Sequence, residues 1–217
     1  MFQVRIHGRG GQGVVTAAEL LSVAAFEQGL YAQAFPSFGS ERMGAPVAAF
    51  CRVSDHEIRT REPVMVPDAL VIQDATLIHQ VDLFSGIDHD AYVILNSSRA
   101  FDELGLTDVL SPLYPERLLT LPASEIATRL LGRAMPNSAS LGALSGLTGI
   151  ISIDAISSAL RKRFTLEVAQ ANLHAARDGY AQAVARRTER SAMQPVVASL
   201  AGAGPESLGA DGEHSHA

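Results

Sequence analysis

Val4-Arg5-Ile6-His7-Gly8-Arg9-Gly10-Gly11-Gln12-Gly13-Val14-Val15 stands almost at the start of the chain and decides the reading of its fold. Phe2, Val4 and Ile6 alternate with Gln3 and Arg5, the period of a short strand. Four glycines then fall within six residues. Val14 to Gln28 follows as apolar and small residues without a proline, which predicts a buried helix. Strand, glycine loop and helix in that order present backbone N–H groups to an anion. The glycines let a ligand approach the main chain without meeting a Cβ, and the helix N-terminus adds unpaired donors and the positive end of its dipole.

Gly8-Arg9-Gly10-Gly11-Gln12-Gly13 satisfies the dinucleotide pattern G-x-G-x-x-G. A nicotinamide dinucleotide site also wants an acid at the end of the second strand. The second strand is predicted over Leu30 to Phe35, which carries none; the nearest acid beyond it is Glu41. Two readings therefore stand side by side: a diphosphate-sized anion site, or a glycine turn needed only for tight helix–strand packing.

The remaining chain fits one α/β domain. Its 217 residues suffice for a sizeable core, and 47% of them are apolar. The net charge of −6 gives no reason to expect nucleic acid. No apolar run reaches the length of a membrane span, and no basic, signal-like segment precedes the first strand. One cysteine, Cys51, leaves no internal disulfide and no cysteine-ligated cluster made by this chain alone. It falls in an apolar strand and reads as a small buried hydrophobe. A cytoplasmic location is the default expectation.

Further strands are predicted at Val47–Ser54, Ala69–Ile72, Ala91–Leu95 and Leu118–Leu121, with a short returning strand at Glu57–Thr60. Helices are predicted over Asp74–Phe84, Ala123–Leu131, Asn137–Gly149, Ser152–Arg163 and Leu166–Arg187. Asn137 or Ser138 can cap the third of these, Gly149 can end it, and its small residues suit close packing. This alternation predicts a mostly parallel sheet covered by helices on both faces, with a Rossmann-like start and a helical C-terminal segment. One domain spans 1–187, and 188–217 reads as a flexible tail.

Three segments together carry a family resemblance. They are Gly8 to Gly13, then Pro36-Ser37-Phe38-Gly39-Ser40-Glu41-Arg42-Met43-Gly44-Ala45-Pro46, then Asn137 through Gly149. Over roughly residues 2 to 185 the chain resembles the gamma subunit of 2-oxoacid:ferredoxin oxidoreductases, of the pyruvate:ferredoxin oxidoreductase type. The resemblance implies a heteromeric complex of alpha, beta, gamma and delta chains. In it a 2-oxoacid is decarboxylated on thiamine diphosphate, electrons leave through iron–sulfur clusters to ferredoxin or a flavoprotein, and the acyl group passes to coenzyme A. It places thiamine diphosphate, Mg and the 4Fe–4S clusters on partner chains, and assigns no catalytic residue and no metal to this one.

What the resemblance implies for this chain is a share in binding coenzyme A. Gly8, Arg9, Gly10, Gly11, Gln12 and Gly13 would face its diphosphate, with Ser40, Glu41, Arg42 and Met43 from the second segment and Asn137 from the third. Many relatives carry a basic or larger polar residue where this chain has Met43. Asn137 as a plain helix cap, and Arg42 as an inter-subunit ion pair, are the structural alternatives. The loop from Phe35 to Pro46 is expected to become ordered at a subunit interface that buries Phe35 and Phe38. Two rival functions remain open from the sequence: a free-standing NAD-dependent dehydrogenase, and a purely structural subunit of the same complex.

Overall fold

A computed structural model describes residues 1–37 and 43–201, with 190–201 described by backbone alone. Six strands form one sheet: β1 (Phe2–Arg9), β2 (Tyr31–Pro36), β3 (Pro46–Ser54), β4 (Ala69–Ile72), β5 (Tyr92–Asn96) and β6 (Leu118–Leu121). Their spatial order is β2-β3-β1-β4-β5-β6. From β1 through β6 the neighbours are parallel, whereas β3 pairs antiparallel with both β1 and β2. The first strand of the chain is therefore the seam between the two halves. Its registers put Ile6 between Ala49 and Val71.

The helices are α1 (Val14–Glu27), α2 (Thr107–Leu110), α3 (Ala123–Leu131), α4 (Asn137–Thr148), α5 (Ile153–Arg163) and α6 (Leu166–Ala201). On one face of the sheet Val4, Ile6, Val53, Val71 and Ile94 pack under α1 and α3–α6. Cys51 lies in this layer, fully buried, as its strand pattern predicts. On the other face Leu70, Ile72, Val93 and Leu95 pack against Leu77, Leu83, Leu106 and Leu110. Among the described residues, α2 and a 3-10 turn over Ala75–His79 lie in that second layer.

Two expected elements are absent. Glu57–Thr60 forms no strand. The segment around it is held by side chains instead: Arg52 donates to the Glu62 carbonyl, and Arg5 to those of Val64 and Met65. The helix expected over Asp74–Phe84 stops after the 3-10 turn. Beyond it, Arg5 Nη2 donates to the carbonyls of Leu83 (2.9 Å) and Ser85 (2.7 Å).

α4 and α6 cross with their backbones in contact. A Cβ at Gly142 would stand 1.8 Å from the Ala176 carbonyl oxygen, and one at Gly179 would stand 2.1 Å from that of Ala139. The small residues of Asn137–Gly149 thus find their close neighbour in α6. That helix runs on to Ala201, through the first part of the segment read as a tail.

Candidate functional site

The glycine loop sits at the carboxyl end of β1, and its four glycines do different jobs. Gly8 is still in the strand, opposite Val47. A Cβ there would meet Val14 Cγ2 at 2.6 Å, so this glycine lets α1 close onto the sheet. Gly10 is bonded into a second strand of chain: its N–H donates to Ala45 (2.9 Å), its carbonyl accepts from Gly44 (3.1 Å), and it bridges Met43. Gly11 and Gly13 have φ of 95° and 78°, which side-chain-bearing residues rarely adopt. Gly13 is the N-cap of α1, whose first turn has no side-chain cap and no acid. An uncapped, acid-free helix start is an electropositive one.

The three sequence segments converge here. Met43 lies over Gly11, its Cε 2.9 Å from where a Cβ would be. Asn137 Nδ2 stands 2.9 Å from the corresponding point on Gly13, with Met135 Cε at 3.3 Å. Between them opens a cleft of about 470 Å³, walled by Gly10, Gly11, Gly13, Val14, Met43 and Met135 among others. Asn137 is buried but does not cap α4. Pro136 holds the cap position, and the Asn137 Oδ1 accepts from the Ser138 N–H at 2.9 Å. Ser40, Glu41 and Arg42, together with Phe38, lie outside the described residues. Phe35 does not wait for a partner: it belongs to β2 and packs on Phe50 of its own sheet, ring centroids 5.3 Å apart.

Arg9, which also lines the cleft, and Gln12 both reach Asp74. Arg9 donates to Thr76 Oγ1 (2.6 Å), Gln80 Oε1 (3.0 Å) and the Gly44 carbonyl (3.0 Å), and its Nε pairs with Asp74 Oδ2 at 3.2 Å. Gln12 accepts from the Arg9 N–H and donates to Asp74 Oδ2, both at 2.7 Å. Asp74 is the hub. Burial pushes its carboxyl upward, but hydrogen bonds from Thr76 and Gln12 and the charge of Arg9 outweigh that and hold it below the usual carboxylate range. The sequence reading placed Asp74 only at a helix start, and Met135 carried no signal in the sequence at all. The acid now stands at the end of β4, the parallel neighbour of β1, but its oxygens are occupied by the protein.

A parallel half-sheet starting at β1, a glycine loop with two left-handed residues and an uncapped helix N-terminus are the layout of a Rossmann-related domain. The chain belongs to the pyruvate ferredoxin/flavodoxin oxidoreductase family, whose model matches residues 3–182, and within it is a gamma-type subunit. It is 42% identical over 182 residues to the common gamma subunit of the pyruvate/ketoisovalerate oxidoreductases of Pyrococcus furiosus, covering 83% of this chain and 96% of that one. The crystal structure of pyruvate oxidoreductase subunit PORC from Thermotoga maritima superposes with a TM-score of 0.69 at 34% identity, over 83% of this chain and 96% of that one. A 2-oxoglutarate:ferredoxin oxidoreductase from Magnetococcus marinus, solved with 2-oxoglutarate, coenzyme A and succinyl-CoA bound, shares the fold. The TM-score is 0.62 at 21% identity, over 85% of this chain and 31% of that one. Among the described residues no helix is long and apolar enough to cross a membrane.

Proposed function

We propose that this gamma subunit binds coenzyme A for a 2-oxoacid:ferredoxin oxidoreductase and has no activity by itself. The observation that carries the proposal is one cleft at an uncapped helix N-terminus, lined by Gly10, Gly11, Gly13 and Met43, with Asn137 packed against Gly13. The first-turn amides and the loop backbone suit a diphosphate, and the apolar wall of Val14, Val15, Met43 and Met135 suits the uncharged parts of the molecule. Arg9, Gln12 and Asp74 brace the loop from behind. The relative solved with coenzyme A bound supports the choice of ligand. Thiamine diphosphate, Mg and the 4Fe–4S clusters belong to the alpha, beta and delta partners, and ferredoxin or a flavoprotein takes the electrons.

Gly11→Val tests this in the assembled complex. A side chain at Gly11 meets Met43 and strains a left-handed residue, narrowing the cleft. The KM for coenzyme A is expected to rise at least tenfold, with the 2-oxoacid KM unchanged. An unchanged KM for coenzyme A would leave this chain as scaffold only. The purified chain without partners is expected to show no 2-oxoacid oxidation.

A further inference from the structure

β2 is the outermost strand of the antiparallel half of the sheet, and among the described residues its outer edge is bare. The Ser37 N–H donates to the Ala48 carbonyl at 2.8 Å, which fixes the phase of the β2–β3 ladder. Tyr31, Gln33 and Phe35, in step with Ser37, turn their backbone groups toward β3. Ala32 and Ala34 therefore each turn an N–H and a carbonyl away from the sheet, and Pro36 turns a carbonyl. No described residue bonds these groups.

Sheet edges are commonly blunted by charge, proline or brevity. At the opposite end of the sheet, β6 is four residues long and runs straight into Pro122. β2 is six residues long, with its one proline at the end. No charged residue occurs from Gln28 through Ser40. On the helix-covered face, α1 packs on β2 and leaves Phe26 57% exposed. On the other face Tyr31 is 48% exposed.

We propose that the free edge of β2 pairs antiparallel with the same edge of a second copy of this chain, about a two-fold axis at Gln33. The register decides the occupant. It sets Ala32 opposite the partner's Ala34, and Ala34 opposite the partner's Ala32, so each outward N–H finds a carbonyl. Moving the axis to Ala34 sets Ala32 against Pro36, which has no N–H. Moving it to Ala32 sets Ala34 against Leu30, whose N–H already bonds the Ala25 carbonyl at 3.0 Å. With the axis at Gln33, Tyr31 of each copy stands opposite the partner's Phe35 on the open face. These are non-hydrogen-bonded pairs, where side chains approach most closely. Phe35 is backed by Phe50 of its own sheet, so the tyrosine meets a ring already held in place. The strand carries no charge to set against its own copy. The pairing uses the bare edge of both chains and leaves only β6 at either end, so it closes as a dimer.

The test uses the full chain without other subunits. Sedimentation velocity is expected to give the mass of two chains. Gln33→Cys puts a thiol on the axis, where the Cα atoms of a non-hydrogen-bonded pair stand about 4.5 Å apart, within reach of a disulfide. Mild oxidation of this variant is expected to link the two chains, and reductant to release them. Cys51, fully buried, takes no part. Ala34→Pro removes an N–H that β3 does not use, so it is expected to keep a cooperative melting transition and to lose the dimer. Should Ala34→Pro not fold, Tyr31→Lys takes its place with the same loss expected, because that side chain is exposed in the single chain. A parent that sediments as one chain overturns the proposal and leaves the edge to a strand of another subunit. A dimer that survives these substitutions, or that Gln33→Cys does not link, overturns it as well.

Discussion

His7 lies on β1 with its Nε2 buried and without a partner among the described residues. Burial, and then the charge of Arg5, push its pKa down to about 4 from an ordinary 6.5. The folded protein therefore refuses a proton that the unfolded chain accepts. Stability is full above pH 6.5 and is lost as pH falls from 6.5 toward 4, by up to about 3 kcal/mol. Urea unfolding at pH 7.5 and pH 4.5 checks this: His7→Gln should lose much less stability between the two than the parent does. Asp74 gives a second prediction at this scale. Asp74→Asn keeps the shape but removes the charge that Arg9 and Gln12 converge on. A loss of about 1.5–3 kcal/mol is expected in urea unfolding, the range for hydrogen bonds to a charged group.

Among the elements, the α4–α6 crossing is the least tolerant of change. Backbone meets backbone at Gly142, so a larger residue must separate the helices rather than find a new rotamer. Gly142→Val is expected to cost about 3 kcal/mol or to abolish soluble expression, whereas the same change at Gly132, where nothing lies within 4 Å, costs only its backbone strain. Thermal unfolding compares the two. Most strands and helices were legible from residue pattern, because apolar runs such as Ala69–Ile72 and Leu118–Leu121 have few other places to go. The segments that misled adjoin carbonyls held from a distance, those of Val64, Met65, Leu83 and Ser85 by Arg5 and that of Glu62 by Arg52, which no local pattern announces. At the site, the three segments were legible as a set, and the structure gathers Gly10–Gly13, Met43 and Asn137. Their individual roles were not legible: Arg9 and Gln12 read as ligand contacts yet point at Asp74, a partner more than 60 positions away.

For the whole molecule, Cys51 serves as a gauge. It is fully buried at the centre of the larger core, and burial pushes its thiol up to about 12. Alkylation at neutral pH should be far slower than for a free thiol and should track global unfolding. Alkylation in native buffer at the rate seen in denaturant would show that the layer opens locally.

The contact between α4 and α6 also gives the molecule leverage. Ala201 lies roughly 33 Å along the helix axis beyond Gly179. Where peptide planes touch, there is no soft layer of side chains to absorb a tilt. A turn of a few degrees about that fulcrum carries the far end through ~2 Å, at the standard helical rise. At the other side of the fulcrum stands α4, which begins with Asn137 against Gly13. The long helix is thus a pointer on a stiff pivot, and the helix that forms the pivot, α4, rests on the glycine loop.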